Sequence, residues 1–300
     1  MRPSFSWQLR SRSLTLGPRT LLMGILNVTP DSFSDGGQFL AAGAAIEHAR
    51  RMLEEGADIL DIGGESTRPG VATTAGPQEA GVTATEELRR ILPVIEAVKR
   101  AVPDALISVD TYKAEVARAA VAAGAEIVND VSGLRWDSEM PRTVAAAGCG
   151  VVLMHTRGRP EEWRGLPRLG ESVVEVVSRE LGEYAAAAKR AGIAHDRIVI
   201  DPGFGFGKNF EDNYPLLARL REFQHLGYPL LAGLSRKSFL GRSISRTGEP
   251  VPPELRLHAS LAAVAAAILH GAHIVRVHDV AATREVAAVC DQILSCGAEK

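Results

Sequence analysis

The residues best suited to chemistry stand at the ends of short apolar runs. Leu230–Gly241 reads LLAGLSRKSFLG: an apolar run stops at Ser235-Arg236-Lys237, and Ser238 is placed to cap a following helix. Two cations beside the free N–H groups of a helix start attract an anion through unpaired donors and through the macrodipole. Other apolar runs end in polar residues in the same way, at Asn27, Asp61 with Glu65 beyond it, Asp110, Asn129, His155, Asp201, and Arg276 with His278. Arg276 and His278 are two apart on a strand and share a face. Beside Lys237 they form a positive corner suited to phosphate or diphosphate. The bland alternative for Arg276 is a buried ion pair with a strand-end carboxylate such as Asp279. Asp110 and Asp201, with Asn129 between them in strand order, mix acceptors and donors. That mixture suits a flat heterocycle better than a metal cage, although a strand-end Asp also serves as a loop cap.

These residues need strands to deliver them. The pattern predicts strands at Leu21–Asn27, Ile59–Ile62, Leu106–Asp110, Glu126–Asp130, Val151–His155, Arg197–Asp201, Leu230–Ser235 and Ile274–Asp279. Helical stretches separate them, at Ala41–Glu55, Thr85–Ala101, Lys113–Ala123, Ser138–Ala147, Glu171–Ala191, Asn213–Arg221, Leu255–His270 and Ala282–Ser295. Gly56, Gly124, Gly148, Gly192 and Gly271 each follow one of them, as a left-handed helix cap requires. Eight strands alternating with eight helices describe an α/β chain folded as a (β/α)8 TIM barrel, in preference to a doubly wound sheet. Residues 5–20 break at Gly17-Pro18 and read as a short N-terminal β-hairpin, so the expectation is one domain over 1–300 with the barrel at about 21–296. In such a barrel the carboxyl ends of the strands form the active mouth, which is where the polar residues fall.

Two long polar loops flank that mouth, Asn27–Gly37 with Phe33 and Gly63–Gly70 with Thr67, Arg68 and Pro69. Gly203–Lys208, GFGFGK, matches neither the Walker nor the dinucleotide spacing; its glycines instead free Phe206 to reach into a mouth. His155 is either catalytic or a holder of loop backbone, and His48, His195, His225 and His258 read as surface or packing residues.

Composition narrows the class. The chain has 300 residues, 46% hydrophobic and 23% charged, with a net charge of −2. That balance fits a globular protein and gives no support for nucleic-acid or membrane-surface binding. Cys149, Cys290 and Cys296 form no ligand-spaced pair and read as reduced thiols of a cytoplasmic protein. No apolar run is long enough to span a membrane, and the N-terminus lacks the core of a secretory signal. Leu257–Leu269 is apolar around more of its circumference than an outer barrel helix needs, so part of it is expected to face a partner.

With these stretches in view, the chain resembles the dihydropteroate synthase family. MGILNVTPDSFSDGG from Met23, DIGGESTRPG from Asp61, ISVDTYK from Ile107, IVND from Ile127, LMH from Leu153, DPGFGFGKN from Asp201, LSRKSFLG from Leu234 and IVRVHDV from Ile274 carry the likeness in order. The resemblance implies a transferase of folate biosynthesis, of the single-function bacterial type and a target of sulfonamides. It would join 6-hydroxymethyl-7,8-dihydropterin diphosphate to 4-aminobenzoate by an SN1-like path. It also implies roles: pterin against Asp110, Asn129, Asp201, Lys237 and Arg276, and diphosphate against Asn27, Thr67, Arg68, Arg276 and His278, with Mg²⁺ on Asn27. The aminobenzoate would meet Phe33, Pro69, Phe206, Lys237 and Ser238, and Asp110, Lys237 and Arg276 would carry the catalysis. Dimers are common in the family, so the resemblance, with the apolar Leu257–Leu269, implies a homodimer. Val71–Gly81 is longer and richer in Gly and Ala than the resemblance leads one to expect. The rivals are a methyltetrahydrofolate methyltransferase-like barrel, which has no use for a diphosphate grip, an inactive pterin-binding barrel, and an aldolase with Lys237 as its Schiff base.

Overall fold

The computed structural model describes residues 2–28, 38–65, 81–167, 169 and 172–297. The chain opens with an antiparallel hairpin, β1 (Phe5–Gln8) and β2 (Ser13–Leu16), paired from Phe5↔Leu16 to Gln8↔Ser13. The barrel strands follow: β3 (Leu21–Asn27), β4 (Ile59–Gly63), β5 (Ile107–Asp110), β6 (Ile127–Asp130), β7 (Gly150–Met154), β8 (Ile198–Asp201), β9 (Leu231–Ala232) and β10 (Ile274–Val277). All are parallel in the order β8-β7-β6-β5-β4-β3-β10-β9, and a bridge between Ile200 and Leu230 joins the two edges into a ring.

Between them run α1 (Gln38–Glu54), α2 (Ala84–Ala101), α3 (Ala114–Ala122), α4 (Met140–Ala147), α5 (Val173–Arg190), α6 (Asn213–Ala218), α7 (Ser238–Ser243), α8 (Leu257–Leu269) and α9 (Val280–Cys296). The eight strands and the hairpin stand where the sequence puts them. The largest difference is β9, two residues long where the pattern predicts Leu230–Ser235. Only Ile274 and Val275 of β10 and the single bridge at Leu230 pair with that run, and the chain leaves the ladder at Gly233. Asn213–Arg221 is likewise split, because α6 stops at Ala218 and a 3₁₀ stretch, Leu220–Leu226, continues to Gly227.

Alternation builds the interior in layers. Ile59, Leu106, Ile127, Val199 and Ile274 point into the barrel and pack with Trp7, Leu9 and Leu16, so the hairpin plugs the amino-terminal end. The Trp7 indole N–H donates to the carbonyl of Arg197 at 2.9 Å, which satisfies its one polar group. Two residues further along each of those five strands, on the same face, come Asp61, Ser108, Asn129, Asp201 and Arg276. The floor is apolar; the layer above it is ionic.

Candidate active site

Arg276 organises that layer. Its Nε donates to Asp61 Oδ2 at 2.5 Å and its Nη2 to Asp110 Oδ2 at 2.5 Å, so one guanidinium spans two carboxylates on neighbouring strands. Asn129 Nδ2 donates to the same Asp61 oxygen at 3.0 Å. Asp61 is fully buried in the middle of β4, whereas the sequence reading counts it among the strand-end residues and gives it no ligand. Asp279 does not meet Arg276. It takes Arg236 instead, through contacts of 2.6 and 3.1 Å.

That pairing also corrects the anion corner read from Ser235-Arg236-Lys237. Arg236 adopts φ +58°, a conformation costly for a side chain with a Cβ, and is fixed there from three sides. Its N–H donates to Ser260 Oγ, its carbonyl accepts from Arg256, and its guanidinium grips Asp279. Lys237 therefore stands without its neighbour's charge. It occupies the cap position of α7 without a side-chain capping hydrogen bond, and Ser238 is the first helical residue and exposed. With six residues, α7 is also too short for a strong macrodipole.

Lys237 Nζ lies 4.0 Å from the centre of the Phe206 ring. The ring packs edge-on against Trp163 at 5.3 Å and beside Tyr112, Val131 and Met154. Asp201 is buried, and its Oδ1 accepts the N–H of Gly203 at 2.7 Å. Burial pushes Asp201 up to about 6, opposed by that N–H and by Lys237. Burial raises Asp110 further, to about 7, with Arg276 working against it and Asp61 adding to it. Burial and the nearby Arg276 push Lys237 down to about 8, against the pull of Asp201 and Asp110. Arg276 itself loses from burial, but Asp61 and Asp110 more than restore its charge. Three groups thus titrate close to neutrality in one pocket, as catalytic mouths commonly do.

His278 differs from the cation expected of it. Burial, then Arg276 and Arg236, hold it down to about 3, so it is a neutral imidazole. Ser235 Oγ accepts the backbone N–H of His278 at 3.2 Å and lies 3.0 Å from its Nδ1. The hydroxyl keeps a second lone pair and its own proton, so it can hold the His278 ring at Nδ1 in either neutral tautomer. Ser235 and Asp61 are the two positioning residues that motif reading left without a role. Two-residue alternation from Ile59 would have placed Asp61 inside the barrel.

Asn27 ends β3 at the same mouth. His155 does not face it: fully buried, its Nε2 lies 3.0 Å from Glu180 Oε2 on α5 and its ring stacks on Tyr184. Lys208 is held by three backbone carbonyls, consistent with rejecting a phosphate-loop reading of GFGFGK. Glu65 pairs with Lys113, which also meets Glu87 at 2.5 Å beneath the mouth. Phe33, Thr67, Arg68, Pro69 and most of Val71–Gly81 lie outside the described residues.

The comparisons with known proteins agree with this geometry. The family described as pterin binding enzyme matches residues 23–278. The dihydropteroate synthase of Escherichia coli is 45% identical over 279 residues, 93% of each chain. The Xanthomonas albilineans dihydropteroate synthase solved with 4-aminobenzoic acid is 46% identical with a TM-score of 0.86, covering 98% of this chain and 99% of that one. The same organism's enzyme in complex with 7,8-dihydropteroate is 44% identical with a TM-score of 0.83, covering 97% and 99%. A barrel with this mouth, matched over nearly its full length, belongs to the pterin-binding enzyme family and, within it, to the dihydropteroate synthases.

Proposed function

We propose that this chain condenses 6-hydroxymethyl-7,8-dihydropterin diphosphate with 4-aminobenzoate, giving 7,8-dihydropteroate and diphosphate. The observation that carries the reading is the single guanidinium of Arg276 held between Asp61 and Asp110, with Asn129 on the same anchor. It presents a rigid wall of donors and acceptors to a flat, polar heterocycle. Asp110, Asn129, Asp201 and Lys237 bind the pterin edge, and Arg276 covers its face.

The C–O bond from the exocyclic methylene to diphosphate breaks first, because the electron-rich dihydropterin carries the resulting cation. Ionised Asp110 stabilises that cation. Arg276, Arg68 and His278, with Asn27 and Thr67, receive the diphosphate. The arylamine nitrogen then forms the new C–N bond and loses its proton. Phe33, Pro69, Phe206, Lys237 and Ser238 hold the aminobenzoate in line and exclude water. No enzyme nucleophile is required, so Lys237 acts as a cation and forms no Schiff base.

The residues present fit Mg²⁺. Among the described residues no group of three His, Cys, Asp or Glu side chains offers a metal cage. Mg²⁺ commonly keeps its waters and substrate phosphate oxygens and takes few protein ligands, which a lone Asn27 amide oxygen at the mouth satisfies. When bound it neutralises charge on the leaving diphosphate.

A homodimer is part of the same reading. Leu255, Val289 and Ile293 are 67%, 62% and 54% exposed on and beside the packed pair α8 and α9, an apolar surface suited to a second copy. Sedimentation of the purified protein as a monomer at micromolar concentration would remove it.

The activity test mixes the protein with dihydropterin diphosphate, labelled 4-aminobenzoate and Mg²⁺, with and without EDTA. Dihydropteroate formed only with metal is the expected result. Retained pterin binding without product would sink the proposal in favour of a methyltransferase-like or inactive barrel.

A further inference from the structure

The loop after β8 is folded around a lysine that no substrate role uses. Gly203, Gly205 and Gly207 have φ of +69°, +82° and +65°. A Cβ on Gly203 would lie 1.9 Å from the carbonyl oxygen of His155, and one on Gly207 would lie 2.4 Å from that of Arg157. The loop is therefore pressed onto the backbone that follows β7, closer than any side chain permits. Two contacts fix its amino-terminal half and its crest: Gly203 N–H to Asp201 Oδ1 and Gly205 N–H to Asn213 Oδ1, both at 2.7 Å.

Phe206 N–H to the Gly203 carbonyl at 3.2 Å and Arg157 Nη1 to the Gly207 carbonyl at 3.3 Å hold the rest, and Lys208 ties it down from beneath. Its side chain is buried, and Nζ donates to the carbonyls of Gly203 at 2.7 Å, His155 at 3.2 Å and Phe206 at 3.2 Å. Three oxygens from two backbone segments match the three donors of an ammonium, although burial pushes the group down to about 7 against the pull of Asp201. One of those oxygens belongs to Phe206, whose ring lies against Trp163 and under the Lys237 amine. Turning the Phe206 peptide would swing the ring away from Lys237 and open the side of the mouth that they share.

We propose that Lys208 is a positioning residue for the 4-aminobenzoate subsite, holding the Phe206 backbone so that its ring faces Lys237. The inference rests on the reading of Phe206 and Lys237 as aminobenzoate contacts. Asn129 and Arg276 keep their own partners without Lys208, and Asp201 keeps the Gly203 N–H while feeling the Lys208 charge at longer range, so the larger effect falls on the aminobenzoate side.

The test is Lys208→Met in the full chain, with Phe206→Ala as reference. Lys208→Met raises the KM for 4-aminobenzoate at least about tenfold, equivalent to about 1.4 kcal/mol. The KM and calorimetric Kd for dihydropterin diphosphate stay within about twofold. Unchanged KM for 4-aminobenzoate, or equal losses for both substrates, overturns the proposal. If Phe206→Ala also leaves the aminobenzoate KM unchanged, the underlying subsite reading has failed, not the role of Lys208 alone. Should Lys208→Met not fold, Lys208→Gln, which keeps two N–H donors, must show the same split in smaller measure; a Gln variant indistinguishable from wild type refutes it.

Discussion

Arg276 on the last barrel strand reaches across the mouth to Asp61 at the centre of β4, Nε to Oδ2 at 2.5 Å. Asp61 is fully buried and also accepts from Asn129, so one carboxylate sets two side chains proposed to bind pterin. Removing one partner of a buried ion pair costs about 3–5 kcal/mol where the other charge is left alone, and less here because Asp110 still meets Arg276. Asp61→Asn should therefore lower the melting temperature and free Arg276 to turn onto Asp110 alone. Pterin affinity should fall about tenfold or more, while the KM for 4-aminobenzoate changes little. Calorimetry with dihydropteroate and with 4-aminobenzoate checks the split; equal affinity for the product in both proteins would remove Asp61 from the site.

Arg236 and Asp279 make the opposite case. Their contact is bidentate, yet the two side chains are 34% and 24% exposed, which reduces its worth to about 1 kcal/mol. Arg236 needs that anchor because its backbone is held in the left-handed region. Asp279→Asn should lower the melting temperature modestly and leave kcat and both KM values within about twofold. A selective rise in the KM for dihydropterin diphosphate would return Arg236 to the anion site from which the geometry excludes it.

The two cases show what motif and period reveal and where they stop. Strand positions were legible because β-branched runs ending in polar residues recur, and alternation puts Asp61, Asp110, Asn129, Asp201 and Arg276 on inward faces. The partner choice was not legible. Nothing local distinguishes Asp61 from Asp279 as the mate of Arg276, since the pairing follows from the order of strands around the barrel. Nor does a Ser-Arg-Lys triplet announce that its middle residue turns away: that depends on φ +58° at Arg236 and on Ser260 and Arg256 from α8 and its approach. The neutrality of His278 is likewise a product of burial beside Arg276, invisible in spacing.

Asn27 yields a metal prediction. As the proposed protein ligand, it should matter only when diphosphate is present. Asn27→Ala should raise the Mg²⁺ concentration for half-maximal rate about tenfold, since one inner ligand is lost while the phosphate oxygens remain. Affinity for dihydropteroate, which lacks diphosphate, should stay at the wild-type value with or without EDTA. A loss of product affinity in Asn27→Ala would show instead that the side chain shapes the pterin pocket.

The pH profile tests the charges directly. Asp110 faces Arg276 and Asp61, with Glu87, Asp130 and Lys237 at longer range, and burial raises it to about 7. Below that pH it is protonated and contributes little to a developing cation. Lys237 is depressed to about 8 by burial and Arg276, so above that pH it is neutral and no longer attracts the aminobenzoate carboxylate. In the free enzyme kcat/KM should consequently rise as pH increases through about 7 and fall beyond about 8, a narrow bell without a plateau. Because these groups interact, the limbs belong to the cluster, with Asp201 contributing to the acid side. Asp110→Asn should abolish most of the rate and remove the steep acid limb that Asp110 supplies, leaving the shallower one from Asp201 near 6. The stability sign is the reverse of the activity sign. A carboxyl raised in the fold stabilises the protein below its unfolded value and loses that contribution as pH climbs through about 7. Wild type should therefore lose stability relative to Asp110→Asn as pH rises from about 4 to about 7, the interval over which its activity grows. Parallel unfolding curves for the two proteins across that range would mean that Asp110 is ionised throughout and that the acid limb arises elsewhere.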